Sequence, residues 1–179
     1  MTRFIALLRG INVGGTRKVP MADLRALCGE LGLTAVQTYI QSGNVVFTAN
    51  GSTAEHEAAL EQGLTRVFGL QIDVMVRTAD QWEQLAAGNP LRAAAEAEAN
   101  LVLLGVPKRP PRPDAAAELL ERATAGERVV AAGDVLWFHY PQGAGRTKLS
   151  PAVIDRLVGS PVTARNWRTV LQLAAMVKG

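Results

Sequence analysis

The apolar positions along the chain fall into short runs and periodic stretches that alternate in a regular order. Residues 3 to 8, Arg-Phe-Ile-Ala-Leu-Leu, are a run of the length of a buried strand, and Arg9 to Gly15 follows as a glycine-bearing loop. Pro20 suits the first turn of a helix whose apolar face is Met21, Leu24, Leu27, Cys28 and Leu31, and Gly32 stops it. Ala35 to Gln41 and Val45 to Ala49 are β-branched and aromatic runs joined through Ser42-Gly43-Asn44, the composition of a tight antiparallel hairpin. Thr53 is expected to cap a helix carrying Leu60, Leu64, Val67 and Phe68, which Gly69 ends, and Ile72 to Val76 alternates like a strand. The first half thus reads βαββαβ.

A helix from Thr78 through Trp82 and Leu85 trails this unit, and Gly88-Asn89-Pro90 closes it before a stretch rich in alanine and glutamate. The second half repeats the order. Leu101 to Val106 reads as a strand, Pro107 to Pro113 as a stiff basic connection, and Asp114 to Ala125 as a helix. Arg128 to Ala132 and Val135 to Tyr140 are strands around a Gly133-Asp134 turn; Ser150 caps a helix with Pro151 at its first position, and Val162 to Ala164 is a short strand. Asn166 to Lys178 is a closing amphipathic helix. The expected fold is α+β: two ferredoxin-like βαββαβ subdomains in tandem, residues 1–88 and 89–179, plus the C-terminal helix. No obvious residue-level repeat links the halves, so duplication is inferred from element order alone.

Composition fits this reading. Of the 179 residues, 48% are apolar, enough for a genuine core and against disorder. No apolar run approaches the roughly 18 residues of a membrane span, and the N-terminal run is too short for a signal-peptide core, which points to a cytoplasmic protein without membrane association. A single cysteine, Cys28, cannot form an intramolecular disulfide, and with two histidines it falls short of the usual zinc ligand set. We therefore expect no metal and no cofactor.

The net charge of +3 says little until it is resolved along the chain. Residues 1–39 carry +3, 40–100 carry −5, 101–139 are neutral and 140–179 carry +5. Topology gathers some of these charges. In a βαββαβ unit the loop after the first strand and the hairpin between the second and third lie at one end of the sheet. That places Arg9, Asn12, Gly14, Gly15 and Lys18 beside Gln41, Ser42 and Asn44, with Arg17 adding charge before the next helix. In the second half the loop after the third strand joins the segment after the fourth, pairing Arg146 and Lys148 with Arg165 and Asn166. Each group combines cations with flexible backbone, the ingredients of a phosphate or carboxylate site.

At these residues the sequence resembles a known family. Arg9-Gly10-Ile11-Asn12-Val13-Gly14-Gly15, Met21 to Leu24, Thr38-Tyr39-Ile40-Gln41-Ser42-Gly43-Asn44-Val45-Val46-Phe47 and Thr163-Ala164-Arg165-Asn166-Trp167 are similar to the bacterial domain of unknown function 1697 family. The resemblance spans nearly the whole chain. It implies an α+β fold with two similar subdomains and brings no established reaction with it.

Bland alternatives stand beside each candidate. Asn12 and Asn166 are also the residues that cap local backbone, Gln41 to Asn44 is also an ordinary hairpin turn, and Arg165 could pair with a carboxylate. The Gly143 to Lys148 segment lacks P-loop spacing. Ser42 has no identifiable base, His56 and His139 sit where packing outweighs catalysis, and Cys28 lies on an apolar helix face, so no catalytic residue is assigned and enzymatic activity is left open. The aromatic run Trp137, Phe138 and Tyr140 is chiefly a core feature, although RNA-binding sheets stack bases on such rings. The favoured reading is a binding protein for a phosphorylated or otherwise anionic small ligand, a nucleotide being one such ligand. Nucleic-acid binding, or an enzyme acting on an anionic substrate, is the alternative; the oligomeric state is not addressed by these residues.

Overall fold

The computed structural model describes residues 1–179, and the chain forms two compact units, Met1–Gln84 with Leu173–Gly179, and Leu85–Gln172. In the first, β1 (Thr2–Leu8), α1 (Met21–Glu30), β2 (Thr34–Tyr39), β3 (Asn44–Ala49), α2 (Thr53–Phe68) and β4 (Val74–Thr78) follow in order, and α3 (Ala79–Ala87) begins directly after. The sheet order is β2-β3-β1-β4 with every neighbouring pair antiparallel, the arrangement expected of a ferredoxin-like unit.

Local chemistry sets the element ends. The Ser52 side chain accepts from Glu55 N–H while Glu55 accepts from Ser52 N–H, a reciprocal cap at the start of α2 that falls to Ser52 rather than the expected Thr53, and Gly69 ends the helix with φ 66°. The strand expected over Ile72 to Val76 begins two residues later, at Val74, because the chain from Gly69 first turns to reach the sheet. One face of the sheet buries Phe4, Ala6, Leu8, Val45, Phe47, Val74 and Val76 against Leu24, Leu27, Leu60 and Leu64 of α1 and α2. The opposite face is buried too, at Ile5, Leu7, Val46 and Met75, which is why β1 reads as a continuous apolar run rather than an alternating one. β4 is an edge strand, and α2 covers its free edge: Glu61 and Glu57 accept from the N–H groups of Val74 and Val76 at 3.2 and 2.9 Å.

The second unit contains α4 (Arg92–Ala97), β5 (Val102–Pro107), α5 (Ala115–Glu121), β6 (Arg128–Ala132), β7 (Val135–His139), α6 (Pro151–Val158) and β8 (Val162–Asn166), and α7 (Trp167–Lys178) follows β8. Its sheet order, β6-β7-β5-β8, is again antiparallel throughout. α5 is shorter than the periodicity predicts; it gives way after Glu121 to the Thr124–Glu127 turn, where Gly126 takes φ 75°.

Register reveals what the sequence alone conceals about duplication. Phe4 lies opposite Phe47 and Thr78, and Leu103 lies opposite Phe138 and Asn166. With both sheets in the same register, Val74-Met75-Val76-Arg77 and Val162-Thr163-Ala164-Arg165 occupy equivalent positions. The correspondence continues into the caps, since Thr78 and Asn166 each accept the N–H of the residue three positions on, Gln81 and Thr169. No helix is long and apolar enough to cross a membrane.

Candidate functional site

The loop that leaves β1 is held on both sides as it departs. Leu8 N–H donates to Gly43 O at 2.9 Å and Arg9 N–H to Asp73 O at 3.0 Å. After Gly10, at φ 66°, the chain doubles back in a small hairpin closed by Asn12 N–H to Arg17 O and Thr16 N–H to Val13 O, both 2.9 Å. Gly14 and Gly15 form its tip with φ 56° and 77°; two successive positive values are the requirement of a type I′ turn, which accounts for the Gly-Gly pair. Val13 through Lys18 are exposed.

Asn12 fixes this hairpin to the neighbouring turn. Its side-chain amide donates to Val19 O at 3.0 Å and Gln41 O at 2.7 Å, and its oxygen accepts from Val19 N–H at 2.8 Å. The Asn44 amide, fully buried, likewise donates to Tyr39 O and Ser42 Oγ at 2.9 and 3.1 Å. The structure therefore brings Arg9–Lys18 together with Gln41–Asn44, and it makes Asn12 and Asn44 the scaffold of the cluster, their N–H donors already engaged. The cations differ in their surroundings. Arg9 faces Asp73 at 3.9 Å, whereas Lys18 is exposed and makes no ion pair or hydrogen bond. Arg17 is the residue that sequence reasoning undervalues. Its Nε donates to Gly10 O at 2.7 Å and its terminal nitrogen to Gln71 O at 2.8 Å, so two carbonyls orient the guanidinium without neutralising it.

The backbone here is unusual. Of the four non-glycine residues with positive φ, three belong to this cluster: Asn12 at 53°, Arg17 at 52° and Ile40 at 50°. Asparagine tolerates that region, but for arginine it is uncommon and for a β-branched isoleucine a genuine outlier, costing about 1–2 kcal/mol. Beside the cluster runs an open groove of about 530 Å³ between α2 and the segment leading into β4, with Gln71 and Asp73 on the shared rim.

The second predicted cluster is assembled differently. Tyr140 N–H donates to Leu101 O and Trp167 N–H to Ala99 O, so the ends of β7 and β8 do lie at one end of their sheet. Arg146 and Lys148 are exposed and make no ion pair. Arg165 is only 7% exposed and turns its guanidinium to Thr163 Oγ1 and Ala164 O, at 2.8 and 2.9 Å; burial lowers its pKa to about 10. Asn166 Oδ1 accepts from Thr169 N–H as the cap of α7. The loop is anchored by Thr147, whose hydroxyl donates to the buried Glu127 carboxylate at 2.9 Å.

The remaining candidates are core residues. Cys28 is fully buried, and desolvation raises its thiol pKa to about 11. His56 packs edge-on against Phe4 and Phe47, with ring centroids 4.7 and 5.2 Å away. His139 ends β7, its Nε2 3.7 Å from a Glu98 carboxylate oxygen. Trp137, Phe138 and Tyr140 are at most 5% exposed, so they offer no stacking platform for bases. No group of three or more His, Cys, Asp or Glu side chains is placed to hold a metal ion.

Two antiparallel βαββαβ sheets in one chain, each flanked by helices, define a tandem ferredoxin-like α+β protein. Residues 1–137 match the model of a family described as proteins of unknown function, DUF1697, and the chain belongs to that family. The chain is also similar to a solved structure, that of the conserved bacterial protein SP0830 from Streptococcus pneumoniae, at 25% identity and a TM-score of 0.76 over 98% of each chain. The structural likeness thus extends beyond the family match, to β8 and α7. No curated protein matches the sequence.

Proposed function

We propose that the protein is a cytoplasmic binding protein for phosphorylated or otherwise anionic small molecules, with its site at the first-unit loops. The observation that carries this reading is Arg17: a guanidinium held in place by two backbone carbonyls, facing no carboxylate, on an exposed loop. A salt-bridging arginine serves stability, whereas an oriented and uncompensated one is prepared for an incoming anion. Lys18 adds a second unpaired charge, and the clustered positive-φ residues fit a loop whose shape is maintained at an energetic cost.

The test is a thermal-shift titration with inorganic phosphate, pyrophosphate, phosphorylated metabolites and nucleotides. A ligand at about 100 times its Kd stabilises the folded state by about 2.7 kcal/mol, a shift of a few degrees. Arg17→Gln is expected to abolish the shift and Lys148→Gln to leave it intact. If no anion stabilises the wild type, or if Arg17→Gln responds as the wild type does, the proposal fails.

A further inference from the structure

We infer that the ligand of this site is a phosphorylated sugar or polyol, the phosphate lying at Arg17 and the hydroxyl groups entering the groove beside α2. The inference rests on the anion-binding reading above and adds the chemical class of the rest of the molecule. Continuity comes first. Arg17 donates to Gln71 O and Arg9 N–H to Asp73 O, and Gln71 and Asp73 both line the groove. On this inference the substituent of an anion held at Arg17 lies along these two shared residues, toward the groove.

Size and lining then select the substituent. About 530 Å³ lies within the range of small-molecule sites. Around it stand Gln62, Gln71 and Asp73, which present amide and carboxylate groups on aliphatic stems, and Glu61 and Thr65, whose polar atoms already bond Val74 N–H and the carbonyls of Glu61 and Leu70. No aromatic ring lines the groove, and its one apolar residue, Ile72, is 3% exposed. A nucleobase finds no ring to stack on. A polyol finds acceptors for its O–H groups. Asp73 is suited to this, because its ion pair with Arg9 at 3.9 Å is longer than a hydrogen bond and its oxygens retain lone pairs for hydroxyl donors. Arg66, also on the lining, is drawn to Glu30 at 3.2 Å, which leaves the cationic end of the site to Arg17 and Arg9.

The experiment is calorimetric titration of the full chain with ribose 5-phosphate, glucose 6-phosphate, inorganic phosphate, glucose and AMP, repeated on Asp73→Asn, with circular dichroism and melting temperature verifying that the variant folds. We expect a sugar phosphate to bind at least roughly tenfold more tightly than inorganic phosphate or glucose, and AMP to bind no more tightly than ribose 5-phosphate. Asp73→Asn should weaken the sugar phosphate about tenfold while inorganic phosphate binds as well as before or better, since a nearby negative charge is removed. AMP binding more tightly than ribose 5-phosphate, or sugar phosphates binding no better than inorganic phosphate, would overturn the inference while leaving the anion site standing. Absence of binding by every phosphate compound would overturn both. An Asp73→Asn variant that binds ribose 5-phosphate as the wild type does would remove the hydroxyl-recognition argument.

Discussion

The Asn12 side-chain amide donates to the main-chain carbonyl of Gln41 at 2.7 Å and thereby joins two loops that lie 29 residues apart in the chain. Together with the two bonds to Val19, it makes one side chain the fastener of the candidate site. Asn12→Ala removes all three bonds and places a Cβ without a compensating amide at φ 53°. At about 1 kcal/mol per net hydrogen bond, we expect a loss of roughly 2–4 kcal/mol in urea denaturation, and a smaller loss for Asn12→Gly, which accepts the same backbone. Equal effects of the two substitutions would show that the left-handed conformation contributes nothing.

Glycines in the same cluster should separate by what surrounds them. A Cβ on Gly43, at φ 89°, would lie 2.8 Å from both Leu8 Cβ and Ile11 Cδ1, and Leu8 Cβ belongs to a central strand that cannot yield. Gly43→Ala is expected to destabilise by roughly 2–4 kcal/mol through overpacking and strain combined. Gly15→Ala meets open space and should cost only the conformational term, about 1 kcal/mol.

Glu127 predicts a pH dependence with a definite sign. Desolvation pushes its pKa up, but the Thr147 hydroxyl and the N–H groups of Glu127, Ala125 and Thr124 outweigh it and hold the carboxylate below its ordinary value. A depressed folded-state pKa contributes stability above the unfolded-state value and loses it as pH falls through the folded one. Glu127→Gln should therefore be less stable than wild type near neutrality, and the gap should narrow on acidification through and below the ordinary carboxylate range. Urea midpoints for both proteins from about pH 7 to about pH 3 check this; a gap that widens with acid contradicts it.

Cys28 should be chemically silent in the folded protein. With the thiol buried and its pKa raised to about 11, thiolate is scarce and inaccessible. A thiol-disulfide reagent at about pH 8 is expected to react fully in denaturant and orders of magnitude more slowly without it. Rapid labelling of the native protein would mean that α1 opens readily.

Much of the fold is legible in the sequence because its signals are local. The apolar spacing of Met21, Leu24, Leu27 and Cys28 defines the buried face of α1, Ser150-Pro151 marks the start of α6, and Gly69 and Gly159 stop their helices with φ 66° and 97°. The meeting of the Arg9 loop with the Gln41 turn is legible too, since strand order alone requires it. The fate of Arg165 is not. Alternation along β8 assigns it to a sheet face, but only the packing of that face buries its guanidinium.

By itself, then, the sequence determined element order, helix faces and caps, which depend on residue type at short spacing, and the meeting of the Arg9 loop with the Gln41 turn, which follows from strand order. Tertiary structure decided which cation is oriented and which is buried. Arg17 is held by the carbonyl of Gln71, 54 residues away, and every residue has a carbonyl. No side-chain pattern could mark that partner; only the path of the folded backbone brings the acceptor to the guanidinium and leaves its charge without a counterion.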